Sequence, residues 1–309
     1  MNISVIVPTL HDANVGKTLQ AIWGDQTRPP DELIVVGLFD PSLRVQFPNI
    51  QFVDTKRPVC AAKARNLGME NASGQVFLFT DSDCLPAADW VEKHAAGQNG
   101  GKQILGGGVL IDDANYWARS DNVSMFHEFA TTAGAGERFL LPTLNMSVHR
   151  SVWETVGGMD ETFPGAAGED SDWTIRMRQA GYKLNFDPTI QVRHAPERVT
   201  GRDVFRHWYN SGYNNIRVRL RHQAEYEMPS YTKKPFPLRL LSPAIAFYIT
   251  AKLFAEPAFL RFWTTIPVVY ATKVVYCWAA AKSIEDGYGA ATDSFELSCF
   301  KCFSQGIFC

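Results

Sequence analysis

The hydrophobic pattern along this chain changes period several times. Ile3-Ser4-Val5-Ile6-Val7 is a short β-branched run closed by Pro8, and Glu32-Leu33-Ile34-Val35-Val36 is a second such run. Between them Leu19, Ile22 and Trp23 recur at helical spacing from Gly16 to Gln26, and Arg28-Pro29-Pro30 stops the stretch. The pattern predicts a strand, a helix and a parallel strand. Gln51-Phe52-Val53 predicts a third strand, Ala61 to Asn71 a helix, and Gln75 to Thr80 a fourth strand. Such alternation predicts a doubly wound, mostly parallel sheet.

Further on, Trp90 to Ala96 suits a helix and Gln103 to Leu110 a glycine-bearing strand. No Gly-x-Gly-x-x-Gly follows the first strand, so a dinucleotide fingerprint is not supported. Residues 111 to 140 show no clear period and are expected to form a surface lid or acceptor-side insertion. From Pro229 on, prolines punctuate two apolar stretches, Leu240 to Ala251 and Phe262 to Ala281, which Lys252, Arg261 and Lys273 interrupt. No uncharged run there reaches the ~18 to 20 residues that cross a bilayer. A pair of helices lying in the membrane interface fits, as does a soluble helical extension packed on the sheet or on a second subunit. Arg217, Arg219, Arg221, Lys233, Lys234 and Arg239, just ahead of the stretches, offer charge for anionic head groups.

Composition sharpens this picture. At 309 residues, 46% hydrophobic and 20% charged, the chain can bury a full core. A net charge of -2 and a pI near 6.4 argue against nucleic acid as the main partner. No basic segment precedes the apolar run at Ile3, so a cleaved secretory signal is not expected and a cytoplasmic location is. Cys60 and Cys84 read as free thiols. Cys299, Cys302 and Cys309 cluster in the tail, where a zinc site would lack a nearby fourth ligand.

The chemistry concentrates around Asp81-Ser82-Asp83, which directly follows the fourth apolar run. Two carboxylates at a strand's C-terminal end stand where open α/β sheets bind ligands, and can share a hard cation that keeps open positions for phosphate oxygens. A solvated acidic turn would carry the same triplet.

Other pieces occur with it in a definite order: Val5-Ile6-Val7-Pro8-Thr9, Gln26-Thr27, Glu32 to Val36, and Ala64-Arg65-Asn66-Leu67-Gly68. After the Asp pair come Gly157-Gly158-Met159-Asp160-Glu161, then Gly168-Glu169-Asp170-Ser171-Asp172-Trp173, Arg176 and Gly181-Tyr182. Together they make residues 1 to about 215 resemble a family 2 glycosyltransferase of the GT-A (nucleotide-diphospho-sugar transferase) fold. We divide the chain accordingly into a GT-A domain over 1–225 and an apolar helical extension over 226–309, the latter a candidate for the membrane interface.

The resemblance implies a nucleotide-sugar donor, most commonly a UDP-sugar, and Mn²⁺ or Mg²⁺ to neutralise the leaving diphosphate. It implies Asp83 as first metal ligand, Asp81 near the ribose and the metal, and His194 completing the site, the alternative for His194 being an ordinary hydrogen bond at a strand end. It places the catalytic base of an inverting transfer at Asp170, with Glu169 in reserve; helix capping is the competing role, for which Asp172 is the stronger candidate. Thr9 is expected to line the base pocket, Lys63 and Arg65 to face the phosphates, and Asn145 to shape the sugar or acceptor pocket. One departure stands out: the family's acidic pair and Gly-Ser after the second strand is replaced by Gly37-Leu38-Phe39-Asp40-Pro41-Ser42, so Asp40 is the candidate from a longer loop. Phe205-Arg206-His207-Trp208-Tyr209 lacks a full Gln-x-x-Arg-Trp, which favours single transfer over polymer extension. The expected acceptor is a hydroxyl of a lipid-linked or cell-envelope glycan, with the protein peripheral at the inner face of the cell membrane. A nucleotidyltransferase of the same fold would carry a glycine-rich basic loop, which His11-Asp12-Ala13-Asn14 is not. A non-catalytic sugar-nucleotide binding module and a membrane-peripheral scaffold are the rivals from other classes.

Overall fold

The computed structural model describes residues 1–111, 115–165, 167–195 and 198–287, so the cysteine cluster at 299, 302 and 309 lies outside the described residues. The chain divides into two compact units. The first comprises Met1–Asp112, Glu128–Glu161 and Asp170–Glu197; the second comprises Asp113–His127, Thr162–Glu169 and the chain from Arg198 on.

The first unit is built on one sheet. Its strands are β1 (Ile3–Leu10), β2 (Glu32–Leu38), β3 (Gln51–Asp54), β4 (Val76–Phe79) and β5 (Cys84–Pro86). The rest are β6 (Ile104–Leu110), β7 (Gly136–Glu137), β8 (Met146–His149) and β9 (Asn185–His194). Among the described residues they run in the order β3-β2-β1-β4-β8-β6-β9-β5, with β7 also on β9. All point one way except β5, β7 and β8, so the sheet is mostly parallel. The first helices are α1 (Val15–Trp23), α2 (Ser42–Gln46), α3 (Ala61–Asn71), α4 (Trp90–Asn99), α5 (Tyr116–Phe126), α6 (Arg150–Val156) and α7 (Glu169–Gln179). They are followed by α8 (Gly201–Arg221), α9 (Pro235–Phe254), α10 (Pro257–Leu260) and α11 (Ile266–Glu285).

The core of the first unit joins the sheet to α3 and α7: Ile6, Phe79, Met146 and Met177 are buried in one cluster with Trp173. Phe79 meets the Trp173 ring edge-on at 5.8 Å between centroids, a geometry favoured by the ring quadrupoles. Pro8 was expected to end β1, yet the strand continues to Leu10. The Ile6 carbonyl accepts from Thr80 and the Ile3 carbonyl from Asp31, so even-numbered positions of β1 face β4 and odd ones face β2. Pro8 therefore faces the β4 side, where pairing has already stopped at Ile6 with Phe79, and its missing N–H breaks no ladder bond.

The glycine run in β6 has a packing cause. A Cβ on Gly107 would sit 2.3 Å from both the Asn145 amide nitrogen and the Ile190 carbonyl, and the register with β9 shifts between Gly107 and Gly108.

The second unit is helical. Residues 116–126, expected as a lid without period, form α5, whose first turn is capped by Asn115 accepting from the amides of Trp117 at 2.8 Å and Ala118 at 3.1 Å. Its buried face is polar (Ser120, Asp121, Asn122 and Ser124), which hides the helical period. Asp121 accepts from Arg198 at 2.8 Å and from the Trp208 indole at 2.8 Å. Burial works to raise its carboxyl, and Arg198, His207 and these hydrogen bonds outweigh it, holding it below the usual range. Lys273 of α11 donates to the Ser124 carbonyl at 2.9 Å and stands 4.1 Å over the Trp208 ring. Ile216 of α8 packs with Leu238 of α9 and with Cys277, Ala280 and Ala281 of α11. Arg217 of α8 donates to the carbonyl and hydroxyl of Thr162 at 2.8 and 2.9 Å, pinning the segment that leads to Glu169. The two apolar stretches thus form helices α9 and α11, and no described helix is long and apolar enough to cross a membrane.

Candidate active site

β4 ends at Phe79, and the chain turns through Asp81-Ser82-Asp83 into β5, with the Cys84 amide closing on the Asp81 carbonyl at 3.1 Å. Two partners hold the turn. The Ser82 hydroxyl donates to Asp12 at 2.9 Å, and the Ser82 carbonyl accepts from the Thr18 hydroxyl at 2.7 Å. Asp12 is itself set by the Asn14 amide at 2.7 Å, just after His11 takes a left-handed φ of 53°. Sequence reasoning assigned no role to Asp12 or Thr18; the only signal available was an acid just past the first strand.

Arg65, buried in α3, donates to Asp81 at 2.7 Å. The arginine expected to face the donor phosphates thus faces the first aspartate, fixing the carboxylate's direction. β5 pairs antiparallel with β9, with Cys84 opposite His194, and the His194 Nε2 lies 3.3 Å from an Asp83 oxygen. That separation is close to the ~3 Å between neighbouring ligands of one small divalent cation. Oxygens of Asp81 and Asp83 and the Cys84 sulfur lie within 4.8 Å of one another. Burial, followed by the charges of Asp83 and Asp81, pushes the Cys84 thiol well up, which keeps it protonated and disfavours it as a ligand. The two part-exposed carboxylates fit a hard-to-borderline divalent cation, and the His194 imidazole stands beside one of them, Asp83.

α7 starts at Glu169, so Glu169 and Asp170 stand in its first turn. Asp172, the expected cap, lies inside the helix, fully buried and paired with Arg176 at 2.9 Å. Burial pushes the Asp170 carboxyl up; the Arg65 charge and the Ser171 amide oppose this, the Asp81 charge adds to it, and the Thr143 amide also opposes it. Asp170 thus sits within electrostatic reach of the Arg65–Asp81 pair. Glu169 is buried, whereas Asp170 is half-buried.

The Gly157-Gly158-Met159-Asp160-Glu161 loop is clamped from three sides. Asn66 accepts from the Met159 amide at 2.8 Å and donates to its carbonyl at 2.9 Å. Trp173 donates to the Gly157 carbonyl at 2.9 Å, and Arg176 donates to the Gly158 carbonyl at 2.7 Å. Lys63 pairs with Glu161 of this loop at 3.1 Å. Thr9 lies at the end of β1, buried, and its hydroxyl has no partner among the described residues. Asp40 is exposed beyond β2; the Ser42 amide at 2.8 Å and then the Ser42 side chain hold its carboxyl below the usual range.

Asn145, expected at the sugar or acceptor pocket, is fully buried. Its oxygen accepts from Trp90 at 2.8 Å and contacts the His94 Nε2 at 3.0 Å, and its nitrogen donates to the carbonyls of Gly108 at 3.1 Å and Ile190 at 2.9 Å. With the amide saturated, it ties α4 to β6 and β9 behind the site. His94 also meets the Ser147 hydroxyl at 2.9 Å through Nδ1, and burial lowers its pKa to about 4, so the ring is neutral.

The family model for glycosyl transferase family 2 matches residues 4–148. Glycosyltransferase AglE of Haloferax volcanii is 29% identical over 230 residues, spanning 70% of this chain and 73% of the relative. The mannosyltransferase PcManGT of Pyrobaculum calidifontis, solved with GDP-Man and Mn²⁺, superposes with a TM-score of 0.59 at 19% identity over 92% of this chain and 87% of its own. Residues 1–349 of S. aureus TarS, solved with UDP-GlcNAc, give a TM-score of 0.52 at 14% identity over 96% and 98% of the two chains. Against a longer TarS chain, this protein spans 55% of the length. The structural likenesses establish the GT-A fold.

Proposed function

We propose, for a chain that is a family 2 glycosyltransferase of the GT-A fold, a metal-assisted, inverting transfer of one sugar from a nucleotide donor to a hydroxyl of a lipid-linked or cell-envelope glycan. In this reading Asp83, Asp81 and His194 hold the cation, Mn²⁺ being preferred over Mg²⁺ because an imidazole is among the ligands. When bound, such an ion supplies charge neutralisation for the departing diphosphate. Arg65 keeps Asp81 directed, and Asp12 and Thr18 keep the turn between the aspartates from moving. Thr9 and Asp40 meet the nucleotide, and Lys63 borders the phosphates. Asp170 takes the proton from the acceptor hydroxyl as it attacks the anomeric carbon, and the raised carboxyl makes it a stronger base than an ordinary aspartate. Glu169 remains its neighbour in reserve. A UDP-sugar is the first donor to try; GDP-mannose follows, because one relative holds it. The acceptor side would work at the cytoplasmic face of a membrane.

The observation that carries the reading is the meeting, at the carboxyl end of β4, of the Asp83–His194 pair and the Arg65–Asp81 pair, with Asp170 within electrostatic reach of the latter. The test follows nucleotide diphosphate release from a panel of sugar nucleotides with Mn²⁺, with and without membrane extract. Asp170→Asn is expected to lower turnover by about 10²- to 10⁴-fold while leaving donor affinity within a few-fold. Binding with no turnover by the unmodified chain, insensitive to this substitution, would mean a module that kept the fold and lost the chemistry.

A further inference from the structure

The outward face of α9 is apolar where a water-facing helix would be polar. Phe236, Leu240, Phe247 and Tyr248 recur along one side of the helix, and Phe236 and Phe247 are 74% and 69% exposed. The opposite side, Leu238, Ser242, Ala246, Thr250 and Leu253, is the buried one. The apolar exposure continues past the helix end into Leu260 and Trp263, the latter 66% exposed. Soluble monomers rarely leave so many large apolar side chains together in water, and a contiguous patch of this kind marks an interaction surface.

Between α9 and α11 lies a groove of about 340 Å³ lined by Phe247, Thr250, Phe254, Ile266 and Tyr270 among others. Its wall is nearly all carbon. The Thr250 hydroxyl is buried there and has no hydrogen-bond partner among the described residues.

Charge selects the occupant. Lys233 and Lys234 precede α9, Lys252 stands in its last turn, and Arg261 follows α10, so cations flank the apolar face along its length. Tyr248 and Trp263, also exposed, have an apolar body and a polar tip. Apolar residues, amphipathic aromatic rings and flanking lysines together match the boundary between head groups and acyl chains, and no described helix is suited to pass through it.

We propose that the outer face of α9, with Leu260 and Trp263, docks into the surface of an anionic bilayer, and that the groove between α9 and α11 takes a lipid hydrocarbon chain. The proposal deepens the membrane-side acceptor reading above and rests on it, and it can fail while the donor chemistry stands.

The test uses the full chain and vesicles of phosphatidylcholine alone or mixed with phosphatidylglycerol. Sedimentation with the anionic vesicles is expected, at least tenfold stronger than with the neutral ones. Phe236→Glu with Phe247→Glu, both at exposed positions, should weaken it at least tenfold without moving the melting temperature or the rate of donor hydrolysis. Lys252→Glu with Arg261→Glu should lose the preference for anionic lipid. Phospholipids brominated on the acyl chain should quench tryptophan fluorescence, and Trp263→Phe should reduce that quenching. Absence of sedimentation with either vesicle, sedimentation unchanged by the phenylalanine substitutions, or a stable dimer that those substitutions dissolve would each overturn the proposal; the last outcome would assign the face to a second copy. Loss of donor hydrolysis in the unmodified chain would instead count against the transferase chemistry, which keeps the two readings separable.

Discussion

Asp81 and Asp83 look alike in the sequence and differ in the structure. Asp83 faces buried His194 at the end of β9, while Asp81 receives a hydrogen bond from a guanidinium that is itself buried. In the function proposed above, removing either carboxylate weakens cation binding, but only the loss of Asp81 takes a charged partner away from buried Arg65. Asp81→Ala is therefore expected to cost about 1 to 3 kcal/mol of stability, the usual worth of a hydrogen bond to a charged group, and Asp83→Ala much less. Parallel melts of the two variants without metal decide this, and equal losses would contradict it. A second residue-scale expectation concerns Asp12. Asp12→Ala frees the Ser82 hydroxyl and should lower turnover about tenfold by loosening the turn, with kcat falling more than donor affinity. Asp81, Asp83, His194 and Asp170 were legible as candidates from residue type and order. Asp12, Thr18 and the contact of Arg65 with Asp81 were not, because each works through a contact made across 16 or more positions of the chain.

At the scale of elements, the parallel half of the sheet was readable because β1, β2 and β4 are short, mostly apolar runs separated by helical stretches, as buried parallel strands require. α5 was not, because its inward face carries Asp121, Asn122 and serines whose partners, Arg198, Trp208 and Lys273, come from more than 75 residues away. Hydrophobic periodicity is blind to a polar face that finds its partners only in the folded chain. The same blindness applies to α4, where Trp90, His94 and Gln98 recur every fourth residue and enter a polar network with Asn145 and Ser147. That network makes a pH prediction. His94 is neutral when folded and takes a proton near pH 6.5 when unfolded, against about 4 in place. The unfolded chain thus binds the extra proton as pH falls through that window, so this group costs stability progressively from about 6.5 down to 4, by about 3 kcal/mol at the low end. Denaturant midpoints measured across that range should fall less steeply in His94→Gln than in the parent.

For the whole molecule, the order of segments matters more than any one of them. The second unit is assembled from three separate stretches of chain, and its core joins Ile216 of α8 to Leu238 of α9 and Ala281 of α11. A chain cut after residue 225 would keep α5 and α8 but strip away the helices they bury against. Such a protein is expected to lose the cooperative melt of that unit and to aggregate, even though the cut falls where composition changes most. Calorimetry of the shortened chain checks this; a sharp transition as stable as the parent's would show that α9 and α11 are dispensable. Composition exposed the change in character near Pro229, but not that α8, on the polar side of it, belongs to the same core.

Pro8 carries a consequence for the edge of β1 beyond its pairing with β4. A residue with an amide hydrogen at this position would present an unmet donor toward the space past Phe79, and anything lying there would have to satisfy it or displace the water that does. With an imino acid in place, that flank is mute: a flat ring can rest against it without owing it a bond. Replacing it with alanine would give that edge a voice, adding a polar demand to a surface shaped to make none.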